Sequence, residues 1–143
     1  MSTTNSFKKK LFAALLCIGF AFALMPAAAL SYAANTEWSP YYYNISGQGI
    51  KYSNDHRAKT TSSYVGVWPS TVDYYVTPCA YNPVSASNIP MGTQTWVDWT
   101  GYEKNISNYI NENGYNYASL KFEGYYNRSV HIEGWWRPDN GNY

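Results

Sequence analysis

Residues 60–77 read TTSSYVGVWPSTVDYYVT, and their pattern indicates the fold class. In each half, apolar residues on one face alternate with polar or aromatic residues on the other. Alternation with a period of two is typical of a β-strand with one buried face. Pro69 separates the halves, because proline donates no hydrogen bond to a sheet ladder. The stretch therefore predicts strands over 60–68 and 71–77, the second ended by Pro78.

The same alternation recurs along the rest of the chain. It predicts further strands over 41–45, 48–53, 93–100, 106–110, 115–123 and 129–136. Asn113-Gly114 predicts a tight hairpin turn between 106–110 and 115–123, because both residues tolerate positive φ. A short helix over 105–112 is the alternative there, since its apolar residues also fit helical spacing. Residues 78–90 hold three prolines and little periodicity, which indicates a loop.

About seven short strands with no helix between them predict an all-β fold, an antiparallel β-sandwich, with a small β-barrel as the alternative. Composition agrees, because the chain after position 33 keeps fifteen Tyr and six Trp but one leucine, Leu120. The alternation also selects the core face. The residues predicted to be buried are Val65, Val67, Val72, Tyr74, Val76, Val97, Trp99, Leu120, Phe122, Val130, Ile132 and Trp136.

The N-terminus is typical of a secretory signal peptide. Three lysines precede the apolar run LFAALLCIGFAFALM (11–25), and a small-residue tract follows it. Ser31 and Ala33 stand at −3 and −1 of a cleavage site after Ala33. We therefore expect residues 1–33 to be removed and 34–143 to form a single secreted, extracellular β domain.

Cleavage would leave seven Lys and Arg against nine Asp and Glu, a net charge of −2. This charge argues against nucleic acid as a partner and against attachment to anionic membranes. No stable membrane insertion is expected after cleavage. Cys79 would be the one remaining cysteine, so an internal disulfide is excluded. A buried thiol and an intermolecular disulfide both stay open for it.

Outward-facing aromatic residues are the predicted ligand-binding site. Exposed rings bordered by amides and carboxylates suit stacking against sugar rings, or docking to another protein. The six predicted binding residues are Tyr64, Trp68, Tyr75, Trp96, Tyr117 and Trp135.

Catalytic and metal patterns are weak. Cys79 and His131 form a nucleophile and base only if the fold joins them, and no motif surrounds either. Asp55-His56 lies in a polar stretch that is typical of a solvated turn. Two isolated histidines and one cysteine match no zinc spacing. We therefore predict no catalytic residues, no metal and no cofactor, and hence not an enzyme.

Three segments resemble a family of small secreted proteins of Gram-positive bacteria whose function is unknown. They are KTTSSYV (59–65), INENGYNYASLKF (110–122) and GWWRPDN (134–140). Arg137 stands where the closing Gly-x-Trp-Ser-Pro-Asp motif of that family usually has serine. The resemblance implies secretion and a bacterial source, and it brings no catalytic residues with it.

Two functions follow from these patterns. The first is a secreted, non-catalytic binding protein of the bacterial cell surface that recognises envelope glycan or a protein partner through exposed Tyr and Trp. The alternative is a bacteriocin-like antagonist of competing cells. It ranks second, because the strong positive charge and amphipathic helix of membrane-active peptides are absent from the sequence.

Overall fold

The structure is a computed structural model that describes residues 33–141. Within that range the chain forms ten strands and no helix, which confirms the all-β prediction. The strands are β1 (Ser39–Ile45), β2 (Ile50–Tyr52), β3 (Arg57–Ala58), β4 (Val65–Pro69), β5 (Tyr74–Asn82), β6 (Ser87–Pro90), β7 (Thr95–Val97), β8 (Lys104–Ile106), β9 (Tyr117–Gly124) and β10 (Val130–Arg137). The predicted signal peptide falls, apart from Ala33, outside the described residues.

The strands form two antiparallel sheets. Sheet A has the order β1-β10-β4-β8, and sheet B has the order β2-β9-β5-β6, with β3 paired to β9 and β7 paired to β5. The sheets bury a common core. Tyr41 of sheet A packs on Phe122 of sheet B at 4.8 Å between ring centroids, and its hydroxyl lies 2.7 Å from that of Tyr74. The predicted sandwich is therefore confirmed, with ten strands in place of about seven.

The predicted core is buried apart from two residues. Trp99 is 61% exposed, because β7 ends at Val97 and the alternation does not continue beyond it. Val72 is half-buried, because Asp73 adopts a φ of 73° that breaks the phase before β5 begins. Both assignments extended a period of two past the end of its strand.

Pro78, predicted to end a strand, lies inside β5, so that boundary is wrong. The Pro78 carbonyl accepts a hydrogen bond from the Met91 N–H at 3.0 Å, which shows that its backbone faces the β6–β7 side. On that side β6 has ended at Pro90 and β7 begins only at Thr95. The missing donor of proline therefore falls at a gap between two ladders, where it interrupts no strand pairing.

The loop predicted over 78–90 is also wrong, because β5 and β6 form a hairpin. The Asn82 side chain closes its turn by accepting hydrogen bonds from the N–H groups of Val84 (2.9 Å) and Ser85 (3.4 Å). Ala86 takes a positive φ of 49° before β6 begins. Asn followed by Pro is the turn signal that the loop assignment overlooked.

Asn113-Gly114 does not form the predicted hairpin turn, because β8 and β9 belong to different sheets. A single helical turn precedes β9 instead. Its end is a Schellman motif: the Tyr115 N–H donates to the Ile110 carbonyl, and the Gly114 N–H donates to the Asn111 carbonyl. Gly114 has a φ of +79°, so its predicted positive φ is confirmed although the turn type is wrong.

The strand predicted over 60–68 shortens to β4, because residues 60–63 fold around the carboxylate of Asp139. We call this group of contacts the Asp139 cluster. The donors to the carboxylate are the side chains of Lys59, Thr60, Thr61 and Ser63 and the backbone N–H groups of Asn35, Thr60 and Thr61. The cluster links the segment before β1, through Asn35, to the segment after β10, through Asp139.

Lys59 and Asp139 form a fully buried ion pair with 2.6 Å between Nζ and Oδ1. Burial lowers the pKa of the Lys59 ammonium, although Asp139 beside it acts to raise that pKa. Burial alone would raise the pKa of Asp139, but hydrogen bonds from Lys59, Thr60 and Thr61 outweigh it and hold the pKa at about 2. The Asp139 carboxyl is therefore ionised at neutral pH although it is buried.

Candidate functional site

The six predicted binding residues do not share one surface. Trp68 and Trp135 lie side by side on the outer face of sheet A, whereas Tyr75 and Trp96 lie on the outer face of sheet B. Tyr117 begins β9, six residues from the Glu123 that pairs with Tyr75. Alternation gives the face of each residue within its own strand, but not which sheet the strand joins.

The most complete aromatic site is on sheet A. Trp68 of β4 pairs directly with Trp135 of β10, and Trp38, just before β1, contacts Trp68 edge-on with ring centroids 6.3 Å apart. All three rings are more than a third exposed. They line an open groove of about 340 Å³, which we call the tryptophan groove. Trp38 was not predicted, because the irregular segment before β1 shows no alternation.

A charged pair lies beside the tryptophan groove. The Arg137 guanidinium lies 4.7 Å from the centroid of the Trp38 ring. It donates to Glu103 through two parallel hydrogen bonds of 2.9 and 2.6 Å. Such a bidentate pair fixes the plane of the guanidinium, which here is held over an aromatic ring.

Gly66 makes room for that pair. It lies opposite Arg137 in the β4–β10 register, and a Cβ at this position would overlap Glu103 Oε1 and approach the Arg137 side chain. The glycine thus leaves a depression in the sheet that the Glu103–Arg137 pair fills. Both side chains stay about one fifth exposed, so their remaining hydrogen-bonding capacity is open to a ligand.

Sheet B carries a second cluster of rings, which we call the tyrosine patch. Trp96 is central to it, with ring centroids 4.9 Å from Tyr75, 5.0 Å from Tyr125 and 6.4 Å from Tyr126. Tyr125 and Tyr126 are 48% and 40% exposed, while Tyr75 and Trp96 are partly buried beneath them. These two tyrosines follow β9 and were not predicted, because they lie outside any alternating run.

The two remaining predicted residues lie apart from both aromatic sites. Tyr117 lines a smaller groove of about 210 Å³ together with Tyr81 and Pro83. Tyr64 precedes β4, where its backbone carbonyl accepts a hydrogen bond from the Asn140 N–H at 3.1 Å. Neither residue belongs to the tryptophan groove or to the tyrosine patch.

The candidate catalytic residues stay apart. Cys79 is fully buried on β5 of sheet B, and burial raises the pKa of its thiol to about 12, whereas His131 lies on β10 of sheet A. The Asp55-His56 pair has other partners, since the His56 ring stacks on Tyr81 at 3.4 Å. In the described part of the chain, no group of three or more His, Cys, Asp or Glu is arranged to hold a metal ion.

Between residues 33 and 141 the chain has no helix that is long and apolar enough to cross a membrane.

Comparison with protein families gives one match. A family model described as "Protein of unknown function (DUF2712)" matches residues 26–140, so the chain belongs to this family. The matched range includes the tryptophan groove, the tyrosine patch and the Asp139 cluster. Searches of curated proteins and of solved structures returned no match.

Proposed function

We propose that this member of the DUF2712 family is a secreted, non-catalytic protein of the bacterial cell surface that binds envelope glycan in the tryptophan groove. One observation carries the proposal: three exposed indole rings lie side by side next to a fixed Glu103–Arg137 pair. Indole faces suit the apolar faces of sugar rings, and the ion pair offers donors and acceptors for hydroxyl groups.

Charge favours a glycan that is uncharged along its backbone. Six of the seven Lys and Arg side chains in residues 33–141 are paired with carboxylates. A polyanion such as teichoic acid would have to compete with those carboxylates for every one of these cations. Stacking on tryptophan needs no charge, so a neutral polysaccharide fits the groove better.

Size favours a glycan over a protein partner. Stable protein interfaces bury about 800 Å² on each side. A groove of about 340 Å³ lined by three rings is in the range of small-ligand sites instead. Within this proposal a protein partner would need contacts well beyond the groove.

Secretion and the bacterial origin rest on the sequence. The lysines, apolar run and small-residue tract of residues 1–33 support export, and the motifs at 59–65 and 134–140 support a Gram-positive source. Mass spectrometry of protein from the culture medium should place the N-terminus at Ala34 or Asn35. An intact chain kept in the membrane fraction would contradict the proposed location.

Binding is tested with purified cell-wall fragments stripped of teichoic acid. Trp68→Ala and Trp135→Ala should each weaken retention by tenfold or more, because each removes a stacking face from the groove. Trp99→Ala is the matched control, since it removes an exposed indole that lies outside the groove. It should bind as the wild type does. Equal retention of all three variants, or no retention of the wild type, would reject the proposal.

A further inference from the structure

The tyrosine patch and the tryptophan groove are built from the same two features, a cross-strand aromatic pair and a hydrogen-bonded carboxylate. In the groove, a cross-strand aromatic pair, Trp68 and Trp135, lies beside a hydrogen-bonded carboxylate, that of Glu103. In the patch, the aromatic pair is Tyr75 and Trp96, which are opposite each other on β5 and β7. The corresponding carboxylate in the patch is that of Glu123.

Glu123 lies next to Tyr75 in the β9–β5 register, so a carboxylate, a tyrosine and a tryptophan form one row across three strands. Its carboxylate accepts a hydrogen bond from the Gln94 amide at 2.6 Å and pairs with the Lys121 ammonium at 2.7 Å. The carboxylate is therefore fixed beside the rings and keeps acceptor capacity for a sugar hydroxyl.

The two sites face in opposite directions. Each lies on the outer face of its own sheet, and the two sheets enclose the core between them. Packed sheets are about 10 Å apart, so the two surfaces are separated by the full thickness of the sandwich. Two ligands can therefore occupy them at the same time without contact.

We propose that the tyrosine patch is a second glycan-binding site and that the protein cross-links two envelope glycan strands. The proposal rests on the proposed function of the tryptophan groove, and it adds bridging to simple attachment. Two sites on one rigid domain raise retention on a dense polymer through effective concentration. They also join separate wall fragments, which a protein with one site does not do.

Clumping of wall fragments tests the bridge. Purified fragments are mixed with wild-type protein or a variant, and light scattering and sedimentation report the particle size. Trp135→Ala disables the groove and Trp96→Ala disables the patch, while Trp99→Ala controls for loss of an exposed indole elsewhere. Tyr126→Ala, which removes a more exposed ring, is the second patch variant in case Trp96→Ala does not fold.

The wild type and Trp99→Ala should clump fragments. Each variant with one disabled site should still bind, at least tenfold more weakly, and should not clump them. A protein that lacks both sites should not be retained. Full clumping by folded Trp96→Ala and Tyr126→Ala would overturn the bridge and leave the proposed function standing. Failure of the wild type to bind would overturn the proposed function itself.

Discussion

Two ion pairs at the C-terminal end of the sandwich differ in how deeply they are buried and in whether a ligand could reach them. Arg137 and Asp139 are two residues apart, and each pairs with a side chain far back in the sequence at a closest distance of 2.6 Å. The Lys59–Asp139 pair is fully buried. The Glu103–Arg137 pair is about one fifth exposed and contacts the tryptophan groove.

The buried Lys59–Asp139 pair is suited to stabilising the fold, whereas the partly exposed Glu103–Arg137 pair is available to a ligand. A buried carboxylate must be fully hydrogen-bonded, and the many donors of the Asp139 cluster meet that need. Those donors leave it no capacity for anything else. The groove pair stays partly hydrated and keeps capacity for hydrogen bonds to a ligand.

Asp139→Asn should have the largest effect on stability. The variant keeps the shape of the side chain but leaves the Lys59 ammonium buried without its counter-ion, and it turns one acceptor into a donor that faces other donors. Breaking a buried ion pair costs about 3–5 kcal/mol. Urea denaturation of wild type and variant measures the free energy of unfolding. A loss below about 1 kcal/mol would contradict a structural role for the cluster.

Protonation of the Asp139 cluster at low pH should also destabilise the fold, by less than Asp139→Asn does. A carboxyl whose pKa is lower in the folded than in the unfolded state stabilises the fold above its unfolded pKa, and this stabilisation is lost as pH falls. The pKa of Asp139 falls from 3.8 to about 2 on folding. The free energy of unfolding should therefore drop by about 2 kcal/mol between pH 5 and pH 2.

Glu103→Gln is the control for the acid experiment, because it leaves the Asp139 cluster intact. The variant should lose stability over the same pH range as the wild type. Asp139→Asn should lack this component of the acid response. An identical acid response in Asp139→Asn would assign the loss to other carboxyl groups.

The buried parts of the fold were largely predictable from the sequence. Alternation found the inner faces of β4, β9 and β10, because one face of each strand is packed and the other is solvated. Pro78 and Asn113-Gly114 misled the prediction. Whether Pro breaks a strand depends on which neighbour its missing N–H faces, and whether Asn-Gly closes a hairpin depends on the sheets that the flanking strands join.

The candidate site was predictable only in part. Alternation predicts that Trp68 and Trp135 face outward, but Trp38 lies before β1, where the sequence does not alternate. The separation of Trp68 and Trp135 from Tyr75 and Trp96 follows from strand order, which depends on pairings distant in sequence. Arg137 departs from the closing motif of the family that the chain resembles, but the sequence does not indicate its contacts with Glu103 and Trp38, which are tertiary.

Gly66→Ala should separate the two ion pairs directly. The added methyl group would overlap Glu103 Oε1 and displace the groove pair, and the three atoms nearest to it belong to Glu103 and Arg137 rather than to Lys59 or Asp139. We expect a loss of about 1 kcal/mol, at the low end for overpacking, because the Glu103 and Arg137 side chains are flexible and partly in contact with water, so they can move aside. Binding to wall fragments should fall severalfold. A variant with normal binding would show that the position of the pair is irrelevant to the groove.

Glu103→Gln should have the smallest effect on stability. It makes the same change of carboxylate to amide as Asp139→Asn, but at a pair that keeps contact with water. Arg137 can then be hydrated in place of its lost partner, so the expected loss is no more than about 1 kcal/mol. Tryptophan fluorescence should shift as well, because Arg137 is freed from its position over Trp38. If urea denaturation instead gave equal losses for the two variants, burial would not be what distinguishes the pairs.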